Sequence, residues 1–200
     1  MFAKAQPGPW VTVFALSALF FMSLSVNADV DTGVKAYKDE DYPTAYTEFL
    51  AAAVAGNAVA QYLVGSMHED GLGTARDDSA AVRWYERAAK QGDAEGSFAL
   101  AQMLLSGRGI DRDDKRAANL IRSAADEGHH GAMNALGTLY LQGRTVARSS
   151  TDAAKWYKKA GEGFQPDAWY NLAQLYLAGD GVAENPSTAL QLYRKAALSG

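Results

Sequence analysis

The chain has 200 residues, 48% of them apolar, with 23 acidic against 19 basic side chains, a net charge of −4 and no cysteine. Apolar content on that scale is ample for one cooperative body, and the missing cysteine excludes disulfides, thiol catalysis and lipid attachment through a thiol. The acidic balance argues against a surface that tracks nucleic-acid phosphates or binds anionic lipid tightly, so no nucleic-acid partner is expected.

In chain order, the first element is a leader. Lys4 gives a modest positive start, residues 10–24 form an apolar run rich in Phe, Leu and Val, and Val26-Asn27-Ala28 offers small residues for cleavage. The run is short for a membrane span, and no stop-transfer segment follows. Residues 1–28 are therefore expected to be a signal peptide, removed to leave a periplasmic or secreted chain with no integral membrane segment. An uncleaved anchor is the alternative, because Pro7 and Pro9 make an unusual leader. Without Lys4, 18 basic residues face the 23 acidic ones, a net −5 on the mature chain.

Residues 29–57 come next. Gly33-Val34-Lys35-Ala36-Tyr37, then Asp41-Tyr42-Pro43-Thr44-Ala45, then Phe49 and Ala52 resemble a tetratricopeptide unit with its short turn. The segment is expected to form an N-terminal capping unit whose first helix is brief.

From residue 58 onward the chain repeats itself every 36 positions. Val64-Gly65, Leu100-Ala101, Leu136-Gly137 and Leu172-Ala173 fall in register, as do Gly71, Gly107, Gly143 and Gly179, and then Ala81, Ala117, Ala153 and Ala189. A period of that length means one supersecondary unit that cannot bury its own apolar face and must stack on its neighbours. Within the first unit, apolar and small residues at Ala60, Val64, Met67 and His68 follow helical spacing, which predicts a helix over 58–69. Gly71 supplies the positive φ that ends it. Asp77 is a predicted N-cap for a second helix marked by Ala81, Trp84, Tyr85, Ala88 and Ala89, and Asp113, Ser149 and Asn185 hold the same slot. Pro186 then falls in the first turn, where proline is best tolerated.

These residues resemble the Sel1-like repeat, a longer-loop relative of the tetratricopeptide repeats. The likeness is clearest from Ala60-Gln61-Tyr62-Leu63-Val64-Gly65 to Trp84-Tyr85-Glu86-Arg87-Ala88-Ala89-Lys90-Gln91-Gly92. It implies an all-α, right-handed α-solenoid of stacked αα-hairpins with four repeats at 58–93, 94–129, 130–165 and 166–200. Two departures are local. Thr145 replaces the second loop glycine of the third unit, and Phe164 stands where Gly92 and Gly128 end the earlier ones.

The chemistry-bearing residues point away from catalysis. His68 shares a packing slot with Leu104, Tyr140 and Tyr176, and the adjacent His129 and His130 point apart at a hairpin turn, so no metal site is expected. No serine lies in a G-x-S-x-G elbow or begins an S-x-x-K motif. The glycine pairs Gly71/Gly73 and Gly107/Gly109 recur as structure with no strand before them, so no phosphate cradle or cofactor is expected. Acidic pairs such as Asp77-Asp78 and Asp113-Asp114 sit where helices start, which is the signature of capping. Arg83, Arg87, Lys155, Lys158, Lys159, Arg194 and Lys195 read as a solvated outer face.

Stacked hairpins curve, and first helices line the inner wall. Resemblance to tetratricopeptide proteins places the slot of Tyr62, Phe98, Asn134 and Tyr170 inward, followed by Leu63, Ala99, Ala135 and Asn171, with Ser66, Gln102, Thr138 and Gln174 a turn later. Such an amide-and-aromatic wall suits an extended peptide or protein partner in the cell envelope. Packing between repeats is the alternative use for the aromatic residues, and Arg108 and Arg144 are further candidates, for carboxylate recognition. The expected function is a non-catalytic adaptor or scaffold. Two other classes stay open: a cell-wall-associated enzyme or binder of β-lactamase-like or peptidoglycan-related kind, although the cysteine pairs of the β-lactam-cleaving relatives are missing, and a subunit that self-associates through the C-terminal hairpin. Leu190, Leu192 and Leu198 in that hairpin either meet a partner or are tolerated on an alanine-rich end helix.

Overall fold

A computed structural model describes residues 30–163 and 165–199. The leader expected at 1–28, Phe164 and Gly200 lie outside the described residues. Among the described residues there are ten α-helices and no strand. They are α1 (Val30–Lys38), α2 (Tyr42–Val54), α3 (Ala58–Asp70), α4 (Asp78–Lys90), α5 (Ala94–Ser106), α6 (Asp114–Asp126), α7 (His130–Gln142), α8 (Ser150–Glu162), α9 (Pro166–Ala178) and α10 (Pro186–Ser199). Consecutive pairs form hairpins, the second helix of each hairpin packs on the first helix of the next, and α3 also touches α5. The arrangement is an α-solenoid.

Local chemistry sets the helix limits. Asp77, Asp113 and Ser149 accept the backbone N–H three residues on, from Ala80, Arg116 and Asp152 at 2.9, 2.9 and 3.2 Å. Asn185 does the same for Thr188 at 2.9 Å. First helices end on Gly71, Gly107, Gly143 and Gly179, each left-handed with φ between 65° and 72°. α8 ends on Gly163 at negative φ, and Pro166 opens α9.

Close helix packing explains the glycine slot midway along the first helices. A Cβ on Gly65 would lie 2.6 Å from the Tyr85 ring, and one on Gly137 would lie 2.7 Å from the Tyr157 ring. Tyr85 and Tyr157 are both almost fully buried. In the second repeat the same positions hold Ala101 and Ile121, a larger knob traded against a smaller partner.

Burial crosses the hairpin boundaries. One cluster joins Phe49 and Ala52 of α2 to Val64 and Met67 of α3. The central cluster runs from Tyr85 through Leu100, Leu104 and Ile121 to Leu136, and a third joins Tyr157, Leu172 and Leu192. No cluster is confined to one hairpin, as the 36-residue period requires.

The third interhelical loop differs from its siblings. Gly73, Gly109 and Gly181 are left-handed, and a Cβ on each would fall 2.2 to 2.3 Å from the backbone that starts the preceding second helix. Thr145 cannot approach so closely, and it does not take a positive φ, since Glu40 is the one non-glycine residue that does among the described residues. A small cavity of about 60 Å³ remains beside Thr145, Asp114 and Arg144, and the Thr145 hydroxyl is buried without a hydrogen-bond partner.

Candidate functional site

The residues expected to line the inner wall separate into two groups once their neighbours are known. Tyr62 is half-buried and stacks on Tyr85 with ring centroids 5.9 Å apart. Burial pushes its phenol pKa up, helped by the nearby Glu95 and Asp93 carboxylates. Phe98 packs on the His129 ring at 4.5 Å. The Thr138 hydroxyl lies 3.1 Å from the Tyr157 hydroxyl and donates to the Asn134 carbonyl at 3.2 Å. Ser66 reaches only its own helix, at Asp70, 3.5 Å away. These four side chains are engaged within the solenoid.

The second group is open. Gln102 is exposed. Tyr170 is 50% exposed, its ring tilted against Tyr193 at 5.4 Å, and its hydroxyl accepts from the Gln174 amide at 2.9 Å. The Asn171 amide donates to the Asn134 carbonyl oxygen at 3.1 Å, so one polar contact bridges α7 and α9 across a repeat boundary. Gln102 on α5 and Tyr170 and Gln174 on α9 are thus exposed, while the paired Asn134 and Asn171 are half-buried between α7 and α9. The arrangement can accept and donate hydrogen bonds to a main chain, and it holds no general base next to a nucleophile.

The two arginines considered for carboxylate recognition are already satisfied by acids of this chain. Arg108 donates to Glu69, which also accepts from the Tyr85 hydroxyl at 2.7 Å. That bond holds the Arg108 guanidinium above its ordinary pKa, while burial and the same carboxylate push Tyr85 up. Arg144 lies 3.5 Å from Asp114, which Arg112 binds at 2.7 Å and holds below the usual carboxylate range.

Sequence reasoning missed two polar clamps. Gln61, buried, donates to the Ala53 carbonyl at 3.1 Å and accepts from the Gln91 amide at 2.8 Å, tying α2 and α3 to the end of α4 across one hairpin boundary. His129 is an N-cap: its Nδ1 accepts from the Ala132 N–H at 2.9 Å and its Nε2 lies 3.1 Å from Glu95. The capping role was visible in principle, because Asn57 and Asp93 cap from the same slot. His68 packs edge-on to Tyr46, its Nε2 3.1 Å from the tyrosine hydroxyl. Among the described residues no group of three His, Cys, Asp or Glu could hold a metal, and no helix is long and apolar enough to cross a membrane.

The family model described as the Sel1 repeat matches residues 58–93, 94–129, 130–163 and 166–200. A Sel1 repeat protein from Oxalobacter formigenes is 31% identical with a TM-score of 0.80, over 84% of this chain and 67% of its own length. A protective antigen of uropathogenic Escherichia coli, which displays an SLR fold, is 28% identical with a TM-score of 0.77, over 86% of this chain and 38% of its own. A Sel1 repeat protein from Klebsiella pneumoniae shares the fold at 22% identity and a TM-score of 0.55, with 84% of each chain covered. Among curated proteins, no sequence matches. Four tandem matches spanning residues 58–200, on helices stacked as the fold requires, place this chain in the Sel1 repeat family.

Proposed function

We propose that the protein is a non-catalytic scaffold of the cell envelope that holds a protein or peptide segment along its inner helices. Sel1 repeats generally mediate contacts between proteins. The observation that carries the reading is the open polar set on α5, α7 and α9. Gln102 and Gln174 offer exposed side-chain amides, the half-buried Asn134 and Asn171 add a paired one, and the Tyr170 ring is half exposed on the same helix as Asn171 and Gln174. Amides of this kind pair with an extended main chain, and the ring adds contact area at low entropic cost. Tyr62, Ser66, Phe98 and Thr138 then act as the frame that sets helix spacing. Export rests on the leader-like composition of residues 1–28.

The test uses crosslinking in intact cells. A partner captured by the wild-type protein should be lost in Asn134→Ala/Tyr170→Ala/Asn171→Ala, and equal capture by that variant would end the reading. N-terminal sequencing of protein from the envelope fraction should begin at Asp29; an intact leader on protein found in the cytoplasm would remove the location. A second reading, self-association, is favoured by α10, where Leu198 is 89% and Leu190 51% exposed. Light scattering over a concentration series decides it, because a monomer at every concentration rules it out.

A further inference from the structure

Each seam between the second helix of one Sel1 repeat and the repeat that follows is built from the same slots, so these three seams serve as controls for one another. In the first seam Val82 and Leu104 are buried, and Glu86 accepts from Arg116 at 2.6 Å across it. In the second, Ala118 and Tyr140 fill those slots, and the Arg122 guanidinium lies over the Tyr140 ring at 5.9 Å. The third seam is crossed at its loop end by the Arg148–Asp180 pair, at 3.1 Å, and by the Thr151 hydroxyl donating to the Gly181 carbonyl, but no described residue covers it at the slot of Glu86 and Arg122. Ala154 and Tyr176, with Leu172 and Val182, wall a cleft of about 180 Å³ between α8 and α9. Lys158, in the slot of Glu86 and Arg122, stands at its rim with no acidic or aromatic partner among the described residues. Lys155 shares the rim and pairs with Asp152 at 2.9 Å.

Charge and size narrow the occupant. In the third repeat Arg144 and Arg148 are paired with Asp114 and Asp180, Lys155 pairs with Asp152 and Lys159 lies over the Trp156 ring, so Lys158 is the basic side chain left without a partner among the described residues. A cleft for a whole small molecule measures about 300–1,000 Å³; this one is smaller and suits a single side chain. Its apolar walls ask for an apolar side chain, and the unpaired ammonium at the rim asks for a carboxylate beside it. Leu172 and Tyr176 lie half a turn away from Tyr170 and Gln174 on α9, so the cleft is separate from the inner wall.

We infer that the α8–α9 seam is a second docking site, which takes an apolar side chain of an acidic partner segment between Ala154 and Tyr176 and sets the neighbouring carboxylate against Lys158. The site does not depend on the inner-wall reading. Residues already present elsewhere in the array show how to close it: Val in place of Ala154 restores the first seam's filling.

The test is an amide-resolved NMR titration of the protein with acetyl-Leu-Glu-Leu-amide and, separately, acetyl-Leu-Gln-Leu-amide. The glutamate peptide should shift the Ala154, Leu172 and Val182 amides saturably and bind about threefold more tightly than the glutamine peptide, a preference that salt reduces, as for an exposed ion pair. Ala154→Val should weaken binding of both peptides at least about tenfold, as expected for loss of a side-chain pocket. Lys158→Glu should reverse the charge preference, and because Lys158 is exposed this variant keeps the test valid even if Ala154→Val does not fold. Absence of saturable shifts, equal binding of the two peptides, or indifference to Lys158→Glu would overturn the site. Shifts confined to Asn134, Tyr170 and Asn171 would also overturn it while leaving the inner-wall reading intact.

Discussion

Gly137 and Tyr157 show how single residues set the spacing of this solenoid. An alanine methyl at 137 would sit 2.7 Å from a ring that is 1% exposed and has nowhere to move. Overpacking of this kind costs about 1–3 kcal/mol, while the helical preference of alanine over glycine returns about 1 kcal/mol. Gly137→Ala should therefore destabilise the protein by about 1 kcal/mol in urea unfolding. In a Tyr157→Ile background, which copies the Ala101/Ile121 pair of the second repeat, the same change should stabilise. Additive effects in that double-mutant cycle would contradict steric coupling. Gly109→Ala should be more damaging, because Gly109 is left-handed and its Cβ would fall 2.3 Å from the Asp78 carbonyl oxygen. A loss of about 2 kcal/mol or more is expected from strain and displaced backbone together. The pairing of glycine with tyrosine is legible in the first and third repeats once they are aligned, whereas the fourth holds Ala173 and a less buried Tyr193 in those slots. That Arg108 and Glu69 bind one another is not, because the two are 39 positions apart and no other repeat carries both.

At the scale of helices, capping decides where each one begins. Asp113→Ala removes the acceptor for the Arg116 N–H and should cost about 1 kcal/mol, whereas Asp113→Asn should cost far less. Charge adds a pH dependence. Asp77 is held below the usual carboxylate range chiefly by the Ala80 N–H, Asp114 by Arg112, and Asp152 by Lys155. A carboxylate whose folded pKa is depressed stabilises the fold above its unfolded pKa of about 3.9, and that contribution disappears as pH falls through the folded value. The urea midpoint should therefore drop as pH is lowered below about 4. Asp77→Asn, which keeps a capping acceptor, should flatten part of that drop, and an unchanged slope would refute the role given to Asp77.

For the molecule as a whole, stability is shared between neighbours. The central cluster links α4 to α7, while α10 packs on α9 and, among the described residues, leaves Leu190 and Leu198 exposed. In such an array local opening follows the number of covered faces. Hydrogen exchange should be slowest in α5 and α6, around Leu100 and Ile121, and fastest in α1 and α10. Uniform protection from α2 to α10 would mean that the hairpins unfold as a single unit and that the seams carry less of the stability than the burial pattern indicates.

The 36-residue period, the capping residues and the loop glycines determined by themselves that the chain is a stack of helical hairpins, because caps and loop glycines report on contacts within a turn of the backbone and the period reports one unit repeated. Only the tertiary structure decided which inner-wall residues are spent on packing. Tyr62, Phe98 and Thr138 meet Tyr85, His129 and Tyr157, while Gln102 stays exposed. It also decided that, among the described residues, Lys158 has no partner where Glu86 has Arg116. A side chain's partners in a solenoid sit on other helices, about one period or half a period away, and a letter repeated in register does not say whether its neighbour has been repeated with it.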